Sequence, residues 1–106
     1  MLSLEDYFRN PQETSFSISP NGQHIAYMAP YNDRLNIFVR DVITDGKGNM
    51  MLGEPHQITF ETVRSVGGYI WKGDKRIIFA RDNNGDENYQ LFGVCNDGTD
   101  FLAYTP

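Results

Sequence analysis

Hydrolytic chemistry would show first in the serines and histidines. The serines are Ser3, Ser15, Ser17, Ser19 and Ser65, and none stands in a Gly-x-Ser-x-Gly elbow of the kind that exposes a nucleophile. A Ser–His pair also needs a third group to orient the ring and donors for an oxyanion, and nothing near His24 or His56 supplies them. Both histidines are expected to be structural or solvent-facing. Ser19, just ahead of Pro20, is expected to make a local turn hydrogen bond. Metal chemistry would fall on the run Asp82-Asn83-Asn84-Gly85-Asp86-Glu87-Asn88. Asp82, Asn84 and Asp86 fit the first, third and fifth positions of a calcium loop. The sixth should be Gly and is Glu87, and the twelfth should be Glu and is Gly93. The run therefore reads as a polar hairpin loop whose side chains bind backbone amides. Gly46-Lys47-Gly48 lacks the glycines and helix start of a phosphate loop. Cys95 is the single cysteine, so there is no internal disulfide and no multi-cysteine zinc site; it reads as a small buried strand residue. No catalytic, metal or cofactor residue is assigned.

The elements that would hold these residues change character along the chain. Ser3 is an N-cap with Asp6 three residues on, and Leu4, Tyr7 and Phe8 share one helical face until Pro11 stops the helix. From Ser15 the period becomes two, with Phe16 and Ile18 alternating against serines. Ser19-Pro20-Asn21-Gly22 is a turn signal. Strands are predicted over 24–29, 35–42 and 56–60, with a loop at 31–34 and the most loop-like stretch at 45–53. A second set follows: 63–71, interrupted by Gly67-Gly68, then 76–81, 89–95 and 100–105, with Asp82 to Asn88 as a polar loop.

The second set repeats the first. Trp71 answers Ile18, Ile77-Ile78-Phe79 answers Ile25-Ala26-Tyr27, and Leu91-Phe92 answers Ile37-Phe38, at offsets of 53, 52 and 54 residues. Ile58-Thr59 answers Tyr104-Thr105 at 46, the shortening matching the long loop of the first unit. Four strands recurring at this spacing are the signature of propeller blades. The expected fold is all-β: about two four-stranded antiparallel blades behind a short N-terminal helix, with an eight-stranded sandwich as the alternative. The corresponding division is 1–12 for the capped helix and linker, 13–60 for the first unit and 61–106 for the second. A propeller needs about four to eight blades, so the sequence, ending at Pro106 just past a fourth strand, reads as a piece of a longer protein. Two blades would leave apolar faces open, with Ile18, Tyr27, Ile37, Trp71, Phe79 and Leu91 as the candidate surfaces, and self-association is expected. Arg81 and Glu87 are the candidates to face a central tunnel and meet a peptide's termini.

Composition bounds the partners. Nine Lys and Arg against fourteen Asp and Glu give a net charge of −5, a poor match for nucleic acid or an anionic membrane. Neither a basic-then-apolar leader nor a bilayer-length apolar run stands in the sequence, so a cytoplasmic soluble protein is the expectation. Seven Phe, six Tyr and one Trp favour β structure.

Two phrases resemble a known family. Leu4-Glu5-Asp6-Tyr7-Phe8-Arg9-Asn10-Pro11, followed by Phe16-Ser17-Ile18-Ser19-Pro20-Asn21-Gly22 and Ile25-Ala26-Tyr27, resembles the propeller start of acylaminoacyl-peptidase and dipeptidyl-aminopeptidase relatives of prolyl oligopeptidase. Gly85-Asp86-Glu87-Asn88 ahead of a strand is similar to a run in the same family. The resemblance implies a serine peptidase whose N-terminal propeller covers a C-terminal α/β-hydrolase domain and restricts which peptides reach it. The catalytic serine, aspartate and histidine of such a protein belong to the hydrolase domain, and none maps onto this chain. The implied partners are that domain and peptides. A stand-alone propeller-type interaction module that assembles from several copies is the alternative.

Overall fold

The period-two segments become paired strands. The computed structural model describes residues 13–81 and 90–104, and among these every regular element is a strand. The expected N-terminal helix and the Asp82–Asn88 loop lie outside the described residues. The strands are β1 (Thr14–Ile18), β2 (His24–Tyr31), β3 (Arg34–Thr44), β4 (Met50–Leu52), β5 (His56–Gln57), β6 (Val66–Lys72), β7 (Arg76–Arg81), β8 (Leu91–Cys95) and β9 (Leu102–Ala103). They form two antiparallel sheets. The first runs β1-β2-β3, with β5 and β4 side by side along the outer edge of β3; the second runs β6-β7-β8-β9.

Local chemistry explains the differences from the expected boundaries. The loop at 31–34 contracts to two residues, Asn32 and Asp33, both at positive φ (49° and 63°), while Tyr31 and Arg34 pair. Asn and Asp tolerate that region, and such two-residue turns match the twist of the flanking strands. The stretch 45–53 hides β4: Asp45 caps its own turn by accepting from Lys47 N–H (2.8 Å) and Asn49 Nδ2 (2.9 Å), which lets β3 and β4 pair beyond it. Those bonds also hold the exposed Asp45 carboxyl below its ordinary pKa. Ser19 behaves as expected, its hydroxyl donating to Asn21 Oδ1 (2.7 Å) and accepting from His24 N–H (3.1 Å).

The offsets read from the sequence reappear as register. Tyr27 pairs with Phe38 as Phe79 pairs with Phe92, and Ile18 with Ile25 as Trp71 with Ile77. On the outer side, Phe38–Gln57 and Val39–His56 correspond to Phe92–Ala103 and Gly93–Leu102. Each sheet therefore has two corresponding faces, since directly paired residues point the same way. One carries Ile25, Tyr27, Phe38 and Arg40 in the first sheet and Ile77, Phe79, Phe92 and Val94 in the second. The other carries Ala26, Met28, Ile37 and Val39, matched by Ile78, Ala80, Leu91 and Gly93.

The core joins unlike faces. Ala26, Met28, Ile37 and Val39 of the first sheet form one buried cluster with Ile77, Phe79, Phe92 and Val94 of the second. Ile37, Ile77, Phe79 and Val94 are fully buried, each side chain contributing roughly 1.5–3 kcal/mol relative to exposure. Bonds across the seam keep the same spacing as the repeat: Asn21 N–H to Asp74 Oδ1 (2.7 Å), Trp71 Nε1 to Ser17 O (3.1 Å) and the Tyr69 hydroxyl to Ser15 O. Of the six side chains expected on open faces, only Ile18 and Leu91 are exposed. Tyr27, Ile37 and Phe79 are buried and Trp71 is half-buried. Ile37 and Phe79 meet in the seam, and Tyr27 is stacked between Phe16 and Phe38.

Candidate functional site

The crossover from the first sheet to the second, residues 60–65, begins beside a fully buried asparagine. Asn36 stands near the start of β3, and every polar position of its amide is used. Its Oδ1 accepts from Thr59 Oγ1 (2.8 Å) and from Glu61 N–H (2.6 Å); its Nδ2 donates to Glu61 O (2.9 Å) and Arg34 O (3.1 Å). Thr59 Oγ1 in turn accepts from Ile37 N–H (2.9 Å). A buried amide is tolerable only when satisfied in this way. Two further bonds hold the crossover: Arg34 Nε to Val63 O (2.8 Å) and Leu35 N–H to Ser65 Oγ (2.9 Å).

Arg81, one of the two residues singled out for peptide contact, ends β7 against this crossover. Its Nε and second guanidinium nitrogen reach both oxygens of Glu61, at 2.6 and 3.2 Å. The guanidinium carbon lies 4.2 Å from the centre of the Phe92 ring. This bidentate, ring-stacked geometry suits arginine and not lysine. It also means that Arg81 is already engaged. Glu87, the other residue singled out, lies outside the described residues. Glu61 and Asn36 were not anticipated. Asn36 alternates with the apolar Ile37 and Val39 along β3, and that alternation alone gives no reason to bury it.

The fixed crossover displays Phe60, Val63 and Arg64. With Glu61, Thr62 and Arg81 they line a cleft of about 370 Å³. Beside it Met28, Leu35, Ser65, Val66, Gly67, Gly68, Ala80 and Arg81 border a hollow of about 570 Å³. The hollow is open at Gly68, where an added Cβ would meet no heavy atom within 4 Å.

At the opposite end of the seam, His24, Asp41, Glu54, His56, Asn96 and Asp97 surround a depression of about 400 Å³. His24 Nδ1 is 2.8 Å from Asp41 Oδ1, and the His24 ring stacks on Trp71 at 6.4 Å. His56 donates from Nε2 to the carbonyl oxygen of Asp97 (3.0 Å), bridging the sheets. The Thr99 hydroxyl and N–H, with a smaller contribution from His56, hold the Asp97 carboxyl below its ordinary pKa. Among the described residues no group of three or more His, Cys, Asp or Glu could hold a metal ion. Ser15 and Ser17 are bonded across the seam through their carbonyl oxygens, and the Ser19 and Ser65 hydroxyls are bonded to backbone N–H groups. Cys95 is half-exposed rather than buried, because Arg76 and Asp100 hold its sulfur at the sheet margin (3.5 and 3.8 Å).

Comparison with known proteins adds a relationship. No family model matches the chain, and no solved structure matches it significantly. Dipeptidyl peptidase family member 6 of Caenorhabditis elegans is 31% identical over 94 residues, which cover 87% of this chain and 12% of that protein. The chain's homologues are dipeptidyl peptidase family members. A second relative, dipeptidyl aminopeptidase BIII of Pseudoxanthomonas mexicana, is 23% identical over 95 residues, 89% of this chain and 13% of that protein. Both fall in the prolyl-oligopeptidase-type group that the sequence resembles. The chain spans about an eighth of the length of these relatives.

Proposed function

We propose that this chain is the opening portion of a β-propeller in a prolyl-oligopeptidase-type serine peptidase, divided as 13–60 and 61–106. It would limit which peptides reach an α/β-hydrolase domain and would supply no catalytic group. The observation that carries the reading is the seam between unlike faces. A contact between two different faces of equivalent units is open-ended: each unit keeps one face for the next, and the series closes only as a ring or continues as a filament. The second sheet still presents Ile70, Leu91, Leu102 and Tyr104, 39–63% exposed, on the face whose counterpart in the first sheet is buried. The kinship with peptidases about eight times longer supports a continuation of the series in the same polypeptide.

The gate is tested in a peptidase that carries this segment. Loosening the seam with Trp71→Ala should raise the rate on long peptides relative to short ones and leave the rate on an aminoacyl arylamide unchanged. Equal changes for all three substrates would sink the gating role. The purified chain alone should hydrolyse neither aminoacyl arylamides nor acyl-peptides. The same open face also favours a second reading, an interaction module in which copies of the chain complete one another. Sedimentation equilibrium separates the two, because a chain that closes a defined ring of copies needs no continuation.

A further inference from the structure

We propose that the crossover at 60–65 is a docking site for the free carboxylate end of a peptide, with Arg64 meeting the carboxylate and Phe60 and Val63 the terminal side chain. The choice of a peptide as ligand rests on the proposed function; the surface itself stands on geometry. Phe60 is 62% and Val63 77% exposed, although the backbone carrying them is fixed by Asn36, Arg34 and Leu35. A segment already held in place loses little freedom on binding, and aromatic side chains and arginine are both enriched where proteins recognise partners.

The charges point to an anion. Glu61 is the acid of this cleft, and both its oxygens are taken by Arg81. Arg64 is exposed, and among the described residues it makes no hydrogen bond or ion pair. Among the described residues that line the cleft, two arginines stand against one glutamate, a positive surplus on a chain whose net charge is −5. At physiological salt charges within about 8 Å act most strongly on a ligand, so the lining residues count for more than the chain's net charge. The cleft, about 370 Å³, has room for a carboxylate and one side chain. Phe60 already meets Tyr31 edge-on at 6.0 Å, which leaves a ring face for an aliphatic or aromatic residue.

The test uses the full chain and two probes, a labelled Ala-Ala-Leu peptide with a free carboxylate and its C-terminal amide, titrated by backbone amide NMR. The acid should perturb residues 60–65 and bind about fivefold more tightly than the amide at low salt, the scale of one exposed ion pair. Arg64→Gln should bring the acid to the level of the amide. Val63→Ser should weaken both forms alike. Both side chains are exposed, and unchanged circular dichroism verifies that each variant folds. Equal binding of acid and amide, a preference that survives Arg64→Gln, shifts centred elsewhere, or no binding at all would each overturn the proposal. None of these results would touch the propeller reading, which depends on the seam and is judged by substrate length.

Discussion

The central strands of the two sheets share a register, yet the same position has different fates in each. Ile37 of the first sheet is fully buried, and its counterpart Leu91 is 39% exposed. Met28 is buried where Ala80 is only half-covered. Backbone pairing therefore fixes which way a side chain points, and the neighbouring sheet decides whether it leaves water. The seam gives the first sheet a neighbour on that face; among the described residues no other sheet packs on the corresponding face of the second.

The largest expected effect comes from cutting the same side chain on the two sides of that contrast. Ile37→Ala should cost about 2–5 kcal/mol, as large-to-small changes in a tight core do, whereas Leu91→Ala should cost about 1 kcal/mol or less. Urea unfolding of the two variants measures the gap, and equal losses would mean that the faces are not distinguished by burial. Asn36→Ala comes next. It strands the Thr59 hydroxyl and the Glu61 backbone, for about 1–3 kcal/mol, and should free the crossover, seen as faster amide exchange at Glu61.

A smaller effect lies at alkaline pH. Burial pushes the Tyr69 phenol above its ordinary value. The folded state therefore holds that proton after the unfolded state has begun to lose it, so the stabilisation is complete below about pH 10 and fades as pH rises toward the folded value. Tyr69→Phe should flatten the alkaline limb of stability. Tyr27, also raised by burial with Arg40 opposing, should leave part of it. An unchanged slope would remove Tyr69 from the account. The smallest effect on stability belongs to Ile70→Thr on the open face, within about 0.5 kcal/mol. That change should nevertheless reduce self-association, and sedimentation equilibrium that shows no difference from the parent chain would argue that the face is inert.

Much of the fold was legible because period-two alternation and turn residues report pairing directly. The repeat offsets around Ile18, Ile25 and Ile37 carried the register of both sheets. Burial was less legible, since a strand covered on both faces is apolar in both phases, as Ile25-Ala26-Tyr27-Met28 is. The hairpin β3–β4 was hidden by its own composition, Gly and Asp around Met50 and Met51. Of the candidate site, Arg81 could be singled out, but its partner could not. Glu61 reaches it only because Asn36, 25 residues earlier, holds the crossover, and no local pattern encodes such a bond.

The turn at Asn32 and Asp33 has a kinetic consequence. It closes a hairpin whose eight paired positions, from His24–Asp41 to Tyr31–Arg34, need no partner more than 17 residues away. Hairpins of this kind form in about 1–10 μs, while the seam bonds Asn21–Asp74 and Trp71–Ser17 join residues more than 50 apart and must wait for long-range closure. Each sheet should thus assemble before the seam. Replacing Asn32 with a β-branched residue should slow refolding, whereas a seam change such as Phe79→Leu should mainly hasten unfolding.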